Sequence, residues 1–148
     1  MKVLAVNKKA KFDYEFLETY QAGIVLFGHE VKAAKNGHIN LKGSYISADN
    51  NELYLKKCTI SAYKKASKLD DYDPQRNRKL LLHKRQIAHI IGKLQEKGLT
   101  IVPVKVYTSN NKLKVEFAVA KGKKKYDKRE TIKQRDVKRR IDRTLKQY

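Results

Sequence analysis

Cysteine is nearly missing from this chain. Cys58 stands alone, so an internal disulfide framework is excluded and a reducing, cytoplasmic setting is expected. Long apolar runs are missing too. The opening MKVLAVNKKAK holds a four-residue apolar run, too short for a signal peptide. No stretch is long enough to span a bilayer, and no Met-Gly start invites acylation, so no membrane partner is expected. Catalytic constellations are equally hard to find. His29, His38, His83 and His89 are scattered, and none pairs with Cys58 or another histidine at a metal-ligand spacing. The acidic stretch DDYD, residues 70–73, reads as a lead into Pro74 with Asp73 capping a turn, in preference to a metal site. Gly92-Lys93 continues into Leu94 instead of a phosphate-binding Ser or Thr, and no serine elbow occurs. The expectation is a protein that is not an enzyme and carries no metal and no cofactor.

Acids are the scarcest class relative to their counterparts. Against 35 Lys and Arg stand 15 Asp and Glu, a formal net charge of +20 on 148 residues. Such a charge repels itself in a compact chain unless a polyanion neutralises it. Nucleic acid is the first candidate partner, with an anionic membrane surface as rival. The charge is uneven. Residues 121–148 hold 13 Lys or Arg and 4 Asp or Glu, a net of +9, against +11 for the 120 residues before them. A body of residues 1–120 and a basic tail of residues 121–148 follow.

Two basic clusters mark the body, NKKAK at 7–11 and RNRKLLLHKR at 76–85. Either could be a solvated face. Against that, acids are sparse in both, and Arg76 and Arg78 can each hold a phosphate bidentately. In the tail, Tyr126 is flanked by lysines and has no core to join. It is either a chance exposed ring or one that stacks on an unpaired base, which favours RNA over duplex DNA. Ile132, Val137, Ile141, Leu145 and Tyr148 form a helical stripe about one residue wide, too narrow to fold alone. The tail is therefore expected to be disordered when free and helical when bound.

The body reads as mainly β. KLKVEFAVA alternates Leu113, Val115, Phe117 and Val119 with Lys112, Lys114 and Glu116. Strands are expected at 3–6, 23–32, 40–47, 52–57 and 59–63, and around Val102–Val106, where Pro103 marks a start or an edge. Asn110-Asn111 and the ADNNEL stretch suit tight hairpins. One helix is expected from Asp13 to Gly23, on the spacing of Phe12, Phe16 and Tyr20. A second begins after His83, carries Ile87, Ile90, Ile91 and Leu94, and ends at Gly98. The sum is an OB-like closed antiparallel barrel of about six strands, with two or three flanking helices and the basic C-terminal tail.

The segments NKKAKFDYEFLETYQAGIVLFGHEVKAAKNGHINLKGSYI, YDPQRNRKLLLHKRQI, GKLQEKGLTIVPVKVY and VAKGKKKYDKRETIKQRD span most of the chain. Together they resemble the small protein B (SmpB) family, the bacterial tmRNA-binding proteins of trans-translation. The resemblance implies an OB-like barrel that binds the tRNA-like domain of tmRNA and takes the place of its missing anticodon arm. It implies delivery of alanyl-tmRNA, with elongation factor Tu, to stalled ribosomes. The tail would enter the empty mRNA channel of the small subunit and become helical near the rRNA of the decoding centre. Asn7 and Leu81 match family positions for tmRNA binding, and Lys8, Lys9, Gln21, Arg76, Arg78 and Lys79 complete the expected contact set. Leu81 by itself could equally be core. Gln21 and Gln86 replace the family's usual Glu, and Gly43 stands where Asp is common. The tail set is Lys121, Lys123, Lys124, Lys125, Tyr126, Asp127, Lys128 and Arg129. Tyr126 sits where the family stacks a ring on a decoding-centre base, and Asp127-Lys128-Arg129 match the motif for tagging. Another OB-type RNA binder, such as a ribosomal protein or an initiation-factor-like module, would have no use for such a tail, and an RNA-processing enzyme lacks any candidate acid–base pair.

Overall fold

The computed structural model describes residues 1–63 and 71–123, together with 135, 138 and 139. In chain order its elements are β1 (Lys2–Val6), α1 (Ala10–Asp13), β2 (Tyr14–Ile24), α2 (Gly28–Lys35), β3 (Ile39–Asn40), β4 (Tyr45–Asp49), β5 (Glu52–Lys56), β6 (Thr59–Ile60), β7 (Arg78–Leu81), α3 (Lys84–Leu94), β8 (Leu99–Ser109) and β9 (Lys112–Gly122). Seven strands form one antiparallel sheet in the order β1-β8-β9-β2-β7-β5-β4, and β3 pairs with β6 separately. The two ends of the large sheet, β1 and β4, do not pair, so the hydrogen bonding gives an open sheet where a closed barrel of about six strands was expected. The sheet curls far enough that β4 packs against β8.

Two tight hairpins set its register. Asn50-Asn51 and Asn110-Asn111 all have positive φ, between 51° and 63°. Consecutive left-handed residues twist a two-residue turn to match the strands, and asparagine tolerates that conformation. The turn at 110–111 joins β8 to β9, which pair from Leu99↔Lys121 to Ser109↔Lys112. Their inner faces supply Ile101, Val106, Val115, Phe117 and Val119, each at most 2% exposed. Leu53, Leu55 and Leu80 meet them from the other end of the sheet, and Ile90 of α3 closes the core.

The expected helix at Asp13–Gly23 is a strand. Only Ala10–Asp13 is helical, and β2 follows it directly. Glu15, Leu17, Thr19 and Gln21 are exposed, alternating with more buried neighbours, which is a period of two. The expected strand at 23–32 likewise fails: β2 stops at Ile24 and Gly28–Lys35 is helical. Glu30 sits three residues after Phe27, and its Oε1 accepts the Phe27 N–H at 2.8 Å, which caps the first turn. The expected strand at 40–47 is broken by a turn at Gly43, with φ +76°. Pro103 lies inside β8, at a bulge between Pro103 and Lys105 and beyond the last residue of β1 to pair, Val6.

The sheet's outer face has two parts. At one end α1 covers it, with Ala10 packed on Val102, Val104, Ala118 and Ala120. At the other end it is bare, and the pairing Val6↔Lys105↔Glu116↔Gln21 runs across four strands.

Candidate nucleic-acid interface

Gln21 and Gly23 point outward from the bare part of that face. Gly23 pairs with Leu81 on one side and Lys114 on the other. A Cβ at Gly23 would sit 3.4 Å from the Leu81 Cβ, so the glycine lets Leu81 lie close across β2. Leu81 is 53% exposed, whereas its neighbour Leu80 is fully buried. Strand alternation therefore assigns Leu80 to the core and Leu81 to the surface. Gln21, Leu81, Leu82, His83 and Gln86 line one shallow cavity of about 400 Å³. The Gln86 Oε1 accepts the His83 N–H at 3.2 Å, capping α3, so this glutamine also fixes the cavity wall. The His83 side chain makes no capping bond. Gln21 and Gln86 thus face the same hollow, and no carboxylate is among its lining residues. Lys114, not counted among the contact residues in the sequence, adds a cation across β2 from Leu81.

Asn7, Lys8 and Lys9 occupy the turn between β1 and α1. Asn7 is pinned there: its backbone N–H donates to Val104 O at 2.8 Å and its Nδ2 to Pro103 O at 2.9 Å. Its side chain thus holds the turn, and the exposed Lys8 and Lys9 project from it. These three residues line a second, larger cavity of about 520 Å³.

The second basic cluster does not face outward as a unit. Arg78 is fully buried, which corrects its assignment as a phosphate ligand. Its Nε and Nη2 donate to Glu30 Oε2 at 2.9 and 2.7 Å, Nη1 to Cys58 O, and Nη2 also to Pro74 O and the Tyr72 hydroxyl. Buried and held in this way, the guanidinium does not present its fork to an external phosphate. Arg76 is engaged by the same Glu30, donates to Val25 O at 3.3 Å, and stacks 4.2 Å from the Phe27 ring centroid. Burial alone would raise the Glu30 carboxyl, but bonds from Arg76, the Phe27 N–H and Arg78 outweigh it and hold it at about 2. Lys79 does point outward, with its Nζ 3.7 Å from Glu52.

Of the tail set, Lys121 is the penultimate residue of β9, paired with Glu15 and Leu99. Lys123 donates its N–H to Asp13 O and its Nζ to Lys11 O, both at 2.9 Å. The body therefore continues through Lys123, past the boundary drawn at residue 120. Lys124, Lys125, Tyr126, Asp127, Lys128 and Arg129 lie outside the described residues, as does the expected change from disorder to helix for most of the tail. Arg135, Lys138 and Arg139 are helical, and the Arg135 guanidinium lies 5.2 Å from the Phe12 ring centroid.

Burial pushes the Cys58 thiol up to about 11, which makes it a poor nucleophile. Among the described residues no group of three metal-ligating side chains converges, and no helix is long and apolar enough to cross a membrane. Asp73 caps a turn as expected, its Oδ1 accepting the Gln75 N–H at 2.9 Å. Asp70 lies outside the described residues.

The family model described as SmpB protein matches residues 4–147. The SsrA-binding protein of Persephonella marina is 54% identical over 146 residues, covering 99% of this chain and 95% of that one. The SsrA-binding protein of Thermosipho africanus is 52% identical over 147 residues, covering 99% of this chain and 98% of the relative. A solved chain from "tmRNA-SmpB: a journey to the center of the bacterial ribosome" superposes with a TM-score of 0.66 at 45% identity, covering 81% of this chain and 84% of that chain.

Proposed function

The chain belongs to the SmpB family, and we propose that it is a non-catalytic adaptor in trans-translation that binds the tRNA-like domain of tmRNA and brings it to stalled ribosomes. The observation that carries this reading is the family match from residue 4 to residue 147, which takes in the body and the basic tail together. Relatives of about half identity are SsrA-binding proteins, and the solved neighbour comes from a tmRNA-SmpB ribosome structure. The outer face supplies what RNA contact requires: exposed Lys8, Lys9 and Lys79 for phosphates, and Gln21 with Leu81 for a base edge and an apolar surface. Arg76 and Arg78 are engaged by Glu30 on α2 instead. An OB-like partial barrel is the description of the curled sheet that we adopt, with β4 folded against β8.

In this reading the tail, from Lys124 onward, probes the empty mRNA channel of the small subunit. Tyr126 stacks on a base of the decoding centre, and Asp127, Lys128 and Arg129 act in tagging. Elongation factor Tu accompanies the alanyl-tmRNA, and the setting is the cytoplasm.

The experiment is purification of the tagged protein from growing cells and sequencing of the RNA bound to it. One enriched species with a tRNA-like end is the expected result, and a broad messenger or ribosomal population would overturn the reading. Truncation after Lys123, which spares β9 and its bonds to α1, should leave tmRNA affinity nearly unchanged and abolish peptide tagging. Loss of tmRNA binding would contradict the division between body and tail.

A further inference from the structure

The larger cavity lies where the sheet fails to close. β8 pairs with β1 only from Lys105 to Thr108, with Asn7 adding bonds at Pro103 and Val104. From Leu99 to Val102 it pairs with β9 alone. The strand that packs toward this bare edge is β4. The gap of about 520 Å³ between them has Thr100, Ile101 and Val102 along one wall, and Ser44 with Tyr45 along the other. That volume falls within the roughly 300–1,000 Å³ typical of small-molecule sites.

Three kinds of group in the gap suit a nucleotide, and Asp13, which has contacts of its own, also lines it. An edge paired on one side leaves backbone N–H and C=O groups without a strand partner; Ile101 and Val102 are buried, so the partly exposed Thr100 is where that edge can meet the donor and acceptor edge of a nucleobase. Tyr14 and Tyr45 offer rings, and Tyr45 is 43% exposed. Lys8 and Lys9 stand on the α1 side and Lys42 on the β4 side. Among the described residues none of these lysines is ion-paired. Both rims are held by their own bonds: Asn7 to Pro103 and Val104 on one side, Lys42 N–H to Asn40 Oδ1 and Ser44 N–H to Leu41 O on the other. A gap whose walls are already fixed loses little freedom when a ligand enters.

We infer that this seam is a nucleotide-binding site, which takes one unpaired RNA nucleotide with its base against the β8 edge and Tyr45, and its flanking phosphates on Lys8, Lys9 and Lys42. The inference rests on the RNA-binding reading and adds to it a specific contact in single-stranded RNA, separate from the hollow at Gln21 and Leu81. The open sheet is then functional, because closing β4 onto β8 by hydrogen bonds would remove both the space and the unpaired edge.

The test has two arms on the full chain. In the first, backbone amide resonances are followed during titration with single-stranded trinucleotides and with a short RNA duplex. The trinucleotides should shift Lys9, Ser44, Tyr45 and Val102, and the duplex should leave them in place. Shifts confined to residues around Gln21 and Leu81 would overturn the inference. In the second arm, Lys42→Gln and Tyr45→Leu are compared with the parent for tmRNA affinity and for thermal midpoint. Loss of a ring that stacks on one base should make Tyr45→Leu bind about tenfold more weakly. Lys42→Gln, an exposed change that spares the core, should weaken it severalfold. Parental affinity in both variants would sink the site while leaving tmRNA binding intact. Failure of the parent itself to bind tmRNA would sink the underlying reading instead.

Discussion

NKKAK and RNRKLLLHKR look alike as strings of cations beside apolar residues, yet the fold treats them in opposite ways. Lys8 and Lys9 project from a turn whose polar groups are satisfied by backbone, and among the described residues neither is ion-paired. Arg76 and Arg78 close on Glu30, which lies more than forty residues earlier, on α2. The distance to the nearest acid along the chain says little about which cation is available. What decides it is where topology delivers a carboxylate. Once Glu30 is buried it needs partners, and the planar donor forks of the two arginines supply them.

The sharpest way to break this contrast is Glu30→Gln. It leaves Arg78 buried and unmatched and should cost about 3–5 kcal/mol of stability, measured by urea unfolding. RNA affinity of the remaining folded protein should hardly change. The same carboxylate links stability to pH. Its folded value, about 2, lies below the ordinary 4.5, so its contribution is complete above pH 4.5 and is lost as pH falls toward 2. Glu30→Gln should flatten that acid limb, and an unchanged limb would show that other carboxylates govern it.

A smaller effect separates two adjacent leucines. Leu80→Ala should cost about 2–5 kcal/mol, as core truncations do. Leu81→Ala should cost well under that and instead weaken tmRNA binding severalfold. Equal stability losses would mean that Leu81 is core after all. The mildest change is predicted for the double variant Lys8→Ala, Lys9→Ala. Its melting point should stay put, while the slope of log affinity against log salt flattens by about 1–2 through lost phosphate contacts. Arg78→Lys should give the reverse, with a lower melting point and an unchanged slope.

Some of this was legible in the chain. The alternation in 112–120, the paired asparagines and the apolar stripe of α3 each encode one local geometry and each forms, although α3 stops at Leu94 and not at Gly98. The segment 13–23 misleads because Phe12, Phe16 and Tyr20 are spaced by four, a multiple of two as well as roughly one helical turn. Reading Tyr14 and Glu18 with them would have given the strand. The reverse error at 23–32 overlooked Glu30 at the third helical position and the pair Ala33-Ala34, which favour a helix. The interface was legible only in part. Gln21, Leu81 and Gln86 come from three elements, and only the pairing of β2 with β7 unites them. The seam was not legible at all, because it consists of a pairing that does not form.

The ladder that ends at Gly122 also has a mechanical meaning. β9 is flanked on both sides, by β8 and β2, along nearly its whole length. Traction on the chain beyond Lys123 would run along that strand, across rather than along its rungs, so many bonds would share the load at once. A pull on the chain beyond Lys123 would therefore drag the whole body with it before it could peel the last strand away.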